Sequence, residues 1–378
     1  MRIPIQFVIK TDLGACEEKH GPRGTYNICC PFCGGEYKLN VNEGKGVWRC
    51  AKCGEAGNAV TLHQKIAGFP TYREACHDLE RIYNGRPEDE KQADAKKFAQ
   101  LAEAERQRLR PANLETRDRF YRAVISQLSL NEAHRASLLA RGLSEQDIAR
   151  NWYASYPTTD EQLSSVARKA MDGIFLLKGE GIPGLYDAQT SPKLVRIQGG
   201  GIMIPVRTMT GLISGFQIRK DKLPESAPEW QRKKYAKYIW LSSAAKKTGC
   251  SCSGSQNIHF AGEWPARGFP KVINLTEGVL KADVAAALTG GKPWLGVAGV
   301  SNLSHVPDLL SYAKICGAEK VNICYDMDYR DKKEVRAALQ KLIGIIKANG
   351  LSFTVIRWDA RYKGIDDFLL HCRKDLAN

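Results

Sequence analysis

The sequence lacks a long hydrophobic run. No uninterrupted apolar stretch approaches the roughly 18 residues that a helix needs to cross a bilayer, which excludes an integral membrane protein. Met1–Lys10 also lacks the apolar core of a signal peptide. Without such a signal, twelve cysteines are difficult to interpret as a disulfide framework. We therefore expect a cytoplasmic protein that uses some of its cysteines to bind metal.

Acidic side chains are too few to balance the basic ones. The chain has 41 Asp and Glu against 56 Lys and Arg, a formal net charge of +15. This excess favours a polyanionic partner such as nucleic acid or an anionic surface. The sequence also has no Gly-x4-Gly-Lys-Ser/Thr loop, which excludes a motor of the P-loop class. Its 378 residues suffice for two or three domains.

Four of the cysteines form two closely spaced pairs. Cys30 and Cys33 make the first Cys-x2-Cys knuckle, and Cys50 and Cys53 make the second. Each knuckle supplies two thiolates from one tight turn, so two knuckles can close a tetrahedral zinc site. The sequence therefore predicts a zinc ribbon with Cys30, Cys33, Cys50 and Cys53 as ligands.

Other residues near the ribbon leave alternatives open. Cys29 could replace Cys30, and His20 or His63 are weaker competitors. Trp48 and Lys52 belong to a set of interleaved aromatic and basic residues, the composition that a surface for single-stranded nucleic acid needs. The same residues are equally consistent with a solvated face and one packed tryptophan. For Cys250 and Cys252, which have no second pair nearby, we predict no metal site.

The composition divides the chain into four segments. Residues 1–84 contain the predicted zinc ribbon, and residues 85–118 are a charged, Ala-rich helical linker. Residues 119–265 begin with helical periodicity and continue with short strands among basic residues, which predicts an α+β basic subdomain. In residues 266–378, four short apolar runs alternate with helices, which predicts an α/β domain with a parallel four-stranded sheet.

Acidic residues follow three of these predicted strands. Glu277 follows the first run, Asp326 and Asp328 follow the third, and Asp366 and Asp367 come after the fourth, with Asp359 between. Ligands of parallel sheets bind at the carboxyl ends of the strands. Carboxylates gathered there would repel one another unless cations neutralise them, and oxygen ligands select magnesium or manganese. The alternative is that these acids merely end strands in solvated loops.

The chain resembles the bacterial DnaG-type primases at several motifs. Its N-terminal unit is similar to the primase zinc-binding domain. The cellular family usually has His at the second ligand position, whereas this chain has Cys33, a change that is similar to phage primases. Residues 139–144 resemble the segment that opens the family's RNA polymerase domain. Its basic motifs are resembled by residues 204–207, 211–219 and 237–243. By position, the resemblance implies that template and nucleotide are bound by Arg207, Arg219, Lys220 and Lys237.

The last third is similar to the TOPRIM fold. Glu277-Gly278 corresponds to its acidic motif, Asp326-Met327-Asp328 to its Asp-x-Asp motif, and Asp366-Asp367 to the later acidic pair. The resemblance implies that Glu277, Asp326 and Asp328 bind magnesium or manganese. The family often has Asp four residues after the glutamate, where this chain has Lys281. That change puts one accessory metal ligand in doubt, and Lys281 could contact a phosphate instead.

The resemblance implies a primase that joins ribonucleotides on a single-stranded DNA template. The expected partners are nucleoside triphosphates, the template and a separate replicative helicase. The chain ends soon after the acidic pair, which favours a phage, plasmid or integrated-element protein. Two alternatives remain open: a TOPRIM nuclease or topoisomerase, and a non-catalytic zinc-ribbon protein that binds single-stranded DNA during replication.

Overall fold

The structure is a computed structural model. It describes residues 3–21, 24–106, 110–179, 181–188, 191–246, 248–252, 258–297, 299, 303–327 and 333–377. The chain divides into two compact units, Met1–Arg108 and Leu109–Asn378. Among the helices that the structure describes, none combines the length and hydropathy needed to span a membrane.

The first unit is a five-stranded antiparallel sheet with four helices. The strands follow one another in chain order: β1 Lys19–His20, β2 Thr25–Ile28, β3 Leu39–Asn42, β4 Val47–Cys50 and β5 Ala56–Asn58. The helices are α1 Ile5–Leu13, α2 Ala59–Ala67, α3 Tyr72–Asn84 and α4 Glu88–Arg106. Side chains alternate along β4, so Trp48 and Cys50 are buried while Val47 and Arg49 are exposed.

The charged helix α4 contacts the rest of the first unit. Lys97 forms an ion pair with Glu43 at 3.1 Å. Phe98 lies 3.7 Å from the position that a Cβ on Gly46 would occupy. The sequence predicts a charged helical linker over residues 85–118, and α4 covers Glu88–Arg106 of this stretch within the first unit.

The second unit begins with helices and an antiparallel sheet. The helices are α5 Leu114–Ile125, α6 Glu132–Leu139, α7 Glu145–Asn151, α8 Asp160–Gly173 and α9 Glu229–Lys234. The sheet has the order β11 Tyr238–Trp240, β10 Ile213–Lys220, β9 Gly201–Arg207 and β6 Ala154–Ser155. A separate pair is formed by β7 Leu185–Asp187 and β8 Pro192–Leu194. The strands predicted near residues 202–206 and 212–218 are thus present.

The remaining residues form a sheet flanked by helices. The strands are β12 Ile258–Ala261, β13 Val272–Glu277, β14 Trp294–Val297, β15 Lys320–Cys324 and β16 Ser352–Val355. The helices are α10 Val279–Leu288, α11 Val306–Ile315, α12 Lys333–Ala348 and α13 Ile365–Ala377. Four strands run parallel in the order β14-β13-β15-β16, close to the four runs of the sequence.

The sheet has five strands instead of the predicted four. The fifth, β12, pairs antiparallel with β14 at one edge. It lies before residue 266, where the sequence prediction begins the α/β domain. Its short segment Ile-His-Phe-Ala carries a buried polar residue, His259, so hydropathy alone does not mark it as a strand.

Strand β9 of the antiparallel sheet shares a hydrophobic core with helix α10, which follows β13. Ile202, Ile204 and Val206 of β9 cluster with Val279 and Val284 of α10. The basic strands are thereby held against the helix that follows the first acidic strand. This packing fixes the position of the site described next.

Candidate functional site

The four paired cysteines converge in the first unit. The Sγ atoms of Cys30 and Cys53 are 3.9 Å apart, and those of Cys33 and Cys50 are 3.8 Å apart. All four Sγ atoms lie within 4.8 Å of one another. A tetrahedron with Zn–S bonds of about 2.3 Å has S···S edges of about 3.8 Å, so the thiols fit a structural zinc ion.

The two knuckles have the same backbone hydrogen bonds. Gly34 N donates to Cys30 O, and Gly54 N donates to Cys50 O, both at 3.0 Å. Both glycines have positive φ, 63° and 75°, which lets each turn close behind its first cysteine. The local sequence Cys-x2-Cys-Gly thus builds both halves of the cluster.

Backbone donors also point at a sulfur. The N–H groups of Lys52 and Cys53 lie 3.3 and 3.4 Å from Cys50 Sγ. Burial alone would raise the pKa of the Cys50 thiol, but these N–H groups, together with hydrogen bonds from the Cys53 and Cys30 thiols, lower the pKa. A thiol whose anion is favoured in this way suits a metal ligand.

The alternative ligands lie elsewhere. Cys29 is exposed. His63 is buried between two carboxylates, with Nδ1 2.8 Å from Asp12 Oδ2 and Nε2 3.2 Å from Asp78 Oδ2. His20 Nε2 lies 3.2 Å from Glu18 Oε2. Within the described chain, only the four paired cysteines bring three or more candidate ligand atoms this close together.

Trp48 and Lys52 occupy different environments. Trp48 is 2% exposed, and its indole N–H donates to Asn58 O at 3.0 Å. Its ring packs in the core of the first unit and cannot stack on a nucleobase in this conformation. Lys52 is half-buried within the second knuckle, between Cys50 and Cys53.

The first two acidic residues of the α/β sheet meet where the strand order reverses. From β13 the chain passes to β14 on one side and then to β15 on the other. In open α/β sheets such a reversal leaves a crevice at the carboxyl ends of the two diverging strands. Glu277 ends β13 and Asp326 lies just beyond the end of β15, so both line this crevice.

Lys281 joins these two carboxylates. Its Nζ donates to Glu277 Oε1 at 3.1 Å and also to Asp326 Oδ1. Lys363 Nζ lies 3.8 Å from Asp326 Oδ2. Burial raises the pKa of Asp326 to about 7, helped by the hydrogen bond and charge of Glu277, while Lys281 lowers it. Burial and the neighbouring Glu277 therefore outweigh the effect of Lys281 on the pKa of Asp326.

Asp366, in the first turn of α13, lies near this pair, and the three carboxylates are the acidic residues that make up the acidic cluster. Asp366 Oδ2 accepts from Arg141 Nη1 at 2.9 Å, whereas Oδ1 is buried without a hydrogen-bond partner. A Cβ on Gly364 would overlap Asp366 Oδ1 and lie 3.4 Å from both Asp326 Oδ1 and Lys281 Cε. The unpartnered oxygen and the raised pKa of Asp326 fit a divalent cation at this position.

The other predicted acids are placed differently. Asp367 is exposed, and its Oδ2 accepts from Gly364 N at 3.4 Å. Asp359 is ion-paired with Arg361 at the surface. Asp328 lies outside the described residues.

Basic side chains surround the acidic cluster. Partial desolvation lowers the pKa of Lys237, and nearby positive charges lower it further. The residues that carry these charges are Arg141, Arg219, Lys281 and Lys363. The positive charges gathered here suit a polyanion.

Arg219 and Lys220 lie at the end of β10. Arg219 Nη1 donates to Ser137 Oγ at 3.2 Å, and its Nε is buried without a partner. Lys220 Nζ lies 5.2 Å from the centre of the Tyr235 ring. Arg219 therefore retains an unused donor beside the basic residues around the cluster.

Arg207 is engaged in a buried network instead. Its Nη2 donates to Asp283 Oδ1 at 2.6 Å, and the same carboxylate accepts from Tyr153 OH at 2.6 Å. His259 Nε2 lies 2.9 Å from Asp283 Oδ1, and His259 Nδ1 accepts from Arg207 N at 3.0 Å. The Arg207 guanidinium therefore neutralises Asp283.

Sequence reasoning missed several of these residues. Arg141 carried a signal, because it lies in a motif that resembles the primase family, but its bond to Asp366 spans 225 residues of sequence. Nothing in the local sequence of Tyr153, His259 or Asp283 indicates their network.

A known protein family matches part of the second unit. Residues 268–375 match the protein family described as "Domain of unknown function (DUF3854)". A search of curated proteins finds no match.

Several solved structures are similar to this chain. The primase of Aquifex aeolicus (zinc-binding and RNA polymerase domains) has a TM-score of 0.47 and 17% identity, covering 99% of this chain and 82% of its own. A DnaG primase catalytic domain bound to single-stranded DNA has a TM-score of 0.43 and 17% identity, covering 70% and 78%. The E. coli primase catalytic core has a TM-score of 0.38 and 17% identity, covering 64% and 72%. The structure is therefore similar to the zinc-binding and RNA polymerase domains of DnaG-type primases, the family whose motifs the sequence resembles.

Proposed function

We propose that this protein is a DNA primase that synthesises short RNA primers on single-stranded DNA. The observation that carries the proposal is the meeting of Glu277 and Asp326 at the strand-order reversal, with Asp366 of α13 nearby and its buried Oδ1 left without a partner. Basic residues surround this cluster. Acidic ligands for a hard cation beside a basic surface suit phosphoryl-transfer chemistry.

In the proposed reaction the primer 3′ oxygen attacks the α-phosphorus of a nucleoside triphosphate. The new O–P bond forms as the bond to pyrophosphate breaks, and the hydroxyl proton passes to solvent. Glu277, Asp326 and Asp366, together with Asp328, would hold Mg²⁺ or Mn²⁺, and Asp367 would support the first turn of α13. When bound, the metal supplies positive charge that lowers the pKa of the attacking hydroxyl and stabilises the transferring phosphate.

The basic residues have separate tasks in this proposal. Lys281 is close enough to the carboxylates to contact the triphosphate beside them. Lys237, Arg219 and Lys220 hold template or nucleotide phosphates along the neighbouring strands. For Arg207 we propose a positioning role through Asp283, because its guanidinium is already bonded there.

For the first unit we propose a zinc-dependent grip on the template. The four thiols hold zinc as a structural ion, since four protein ligands leave no open position for chemistry. Lys52 lies within the second knuckle, where it can contact a template phosphate. We propose the division 1–84, 85–118, 119–265 and 266–378 as working boundaries for these functions, with α4 assigned to the first unit and β12 to the sheet of the last segment.

Primer synthesis tests the proposal directly. The full chain is incubated with Mg²⁺ or Mn²⁺, labelled ribonucleotides and random single-stranded DNA. Wild-type protein should make short RNA products, and Glu277→Gln and Asp326→Asn should lower the rate on the order of a hundredfold or more. Both variants should keep wild-type affinity for single-stranded DNA.

Asp359→Asn is the matched control, because this carboxylate pairs with Arg361 outside the cluster. It should synthesise primers at the wild-type rate. A wild-type protein that binds DNA but makes no primers on any template would favour the non-catalytic alternative. Cleavage of DNA without synthesis would favour the nuclease.

A further inference from the structure

A cavity of about 410 Å³ opens beside the acidic cluster. Glu277 and Lys281 form one side of it. The opposite wall comes from the antiparallel sheet and carries Gln217, Tyr238 and Trp240. The volume is within the range of sites for small molecules. The cavity is therefore large enough for part of a nucleotide whose phosphates lie at Lys281.

Gln217 is a buried polar residue that lines this cavity. It is 7% exposed, and its carboxamide forms no hydrogen bond with any described residue. Because this amide lines the cavity, it can exchange bound water for hydrogen bonds to a molecule there. Its donor and its acceptor are both available to a molecule in the cavity.

The aromatic wall is built by strand pairing. Gln217 of β10 lies directly opposite Trp240 of β11, and Arg219 lies opposite Tyr238. Residues two apart on a strand share a face, and directly paired residues of neighbouring strands point to the same side. One face of this sheet thus presents two aromatic rings, a carboxamide and a guanidinium beside the acidic cluster.

We propose that this cavity binds a nucleobase, with Trp240 as its stacking surface and Gln217 as the group that recognises its edge. Every nucleobase has a π-face and adjacent donors and acceptors, which these two side chains can satisfy together. A phosphate or a simple sugar would leave the indole unused. The base belongs to the nucleoside triphosphate, because the cavity adjoins Lys281 and Glu277.

This inference rests on the proposed function, since it assigns the base-binding part of the nucleotide site. It adds residues that determine affinity for the base separately from affinity for the phosphates. Trp240→Ala should therefore weaken binding of the whole nucleotide and leave binding of inorganic tripolyphosphate unchanged.

Equilibrium titration without synthesis tests this assignment. ATP, GTP, CTP, UTP and tripolyphosphate are titrated separately into the full chain with Ca²⁺ and without template. Trp240→Ala and Gln217→Leu should each bind the nucleotides roughly tenfold more weakly, the range expected for loss of one stacking or edge contact. Gln217→Leu should also reduce the differences in affinity among the four bases.

Two further variants serve as controls that distinguish a lost contact from misfolding. Trp240→Phe keeps an aromatic surface and should restore most of the affinity. Tyr312→Ala removes an exposed aromatic residue of α11 and should behave as wild type. Melting temperatures of all variants are measured alongside.

Each outcome decides the assignment. Wild-type nucleotide affinity in both Trp240→Ala and Gln217→Leu overturns it, and so does an equal loss of nucleotide and tripolyphosphate binding. Weaker binding of a single-stranded oligonucleotide, with unchanged nucleotide affinity, also overturns the assignment to the nucleoside triphosphate and indicates a base of the DNA strand instead. The wild-type protein could bind nucleotides in a way that depends on Trp240 and still make no primers. That result would support this inference and contradict the proposed function.

Discussion

Lys281 is an internal cation of the acidic cluster. Its ammonium group contacts Glu277 and Asp326, and burial would lower its pKa if the charges of these two residues did not raise it. A divalent ion bound by the same carboxylates must therefore compete with this lysine for their negative charge. Lys281 thus both stabilises the metal-free cluster and limits its affinity for metal.

We predict that Lys281→Met lowers the metal-free melting temperature and tightens Mn²⁺ binding, on the order of tenfold. The unfolding effect follows because two neighbouring carboxylates lose their shared partner. Electron paramagnetic resonance of Mn²⁺ measures the affinity, and calorimetry measures the melting temperature. Lys169→Met, an exposed substitution on α8, should change neither quantity. Weaker Mn²⁺ binding in Lys281→Met would show that the lysine supports the metal site.

His259 makes the stability of the second unit depend on pH. Burial lowers the pKa of His259 from the usual 6.5, and the positive charge of Arg207 lowers it further. The charge and hydrogen bond of Asp283 act in the opposite direction. Just below pH 6.5, His259 takes up a proton in the unfolded chain but resists protonation in the folded chain, because its pKa is lower there. The free energy of unfolding should therefore fall as the pH decreases from about 6.5.

His259→Gln should flatten this dependence between about pH 6.5 and about pH 5, because glutamine does not titrate there. Its carboxamide can still accept from Arg207 N and donate to Asp283. Urea unfolding at several pH values provides the measurement. His371→Gln, a half-exposed substitution on α13, should retain the wild-type slope. An unchanged slope in His259→Gln would contradict the assignment.

At the scale of elements, two turns determine the zinc cluster. One turn follows β2 and the other follows β4, so the ligands hold together the ends of strands on either side of β3. A structural zinc site contributes free energy to folding directly. Losing one ligand should therefore affect the packing of the sheet as well as the metal.

We predict that Cys50→Ser reduces zinc from one equivalent to less than half and loosens the first unit around the buried Trp48. Zinc content is measured on the full chain, and near-ultraviolet circular dichroism monitors the aromatic packing. Cys29→Ser is the control, since the neighbouring Cys29 is exposed and outside the cluster. Full zinc in Cys50→Ser, or loss of zinc in Cys29→Ser, would overturn the ligand assignment.

Elements were more predictable than contacts between them. Hydrophobic runs located β13 to β16 and α10 to α12, because buried strands and helices have distinct periods and lengths. The edge strand β12 was missed, since it is short and contains buried His259. The zinc quartet could be predicted because its spacing is local. The Arg141–Asp366 and Arg207–Asp283 pairs could not, because no local pattern encodes which distant charges become neighbours.

For the whole molecule, the net charge of +15 predicts binding that weakens with salt. The basic residues around the cluster make this expectation specific. Lys237→Ala should lower the slope of log affinity against log salt by about 0.7, the value for one phosphate contact on a single strand. Lys220→Ala should have the same effect if it also contacts phosphate.

Fluorescence anisotropy with a labelled single-stranded oligonucleotide at several salt concentrations measures these slopes. Lys169→Ala removes one positive charge from α8 and is the matched control, with a wild-type slope. Arg207→Ala should instead lower stability, because it leaves Asp283 buried without its guanidinium partner. An unchanged slope in Lys237→Ala would mean that this residue is only part of a solvated surface.

The Asp283 network has a mechanical consequence. Its hydrogen bonds connect β9, β12 and α10, and so the basic strands and the acidic sheet cannot slide past one another without breaking several buried polar contacts at once. The hydrophobic core between β9 and α10 opposes the same displacement. The basic strands and the acidic sheet are therefore expected to move together as one rigid block. Its backbone amides in β9 and α10 should accordingly be among the slowest to exchange with solvent, whether or not nucleotide is bound.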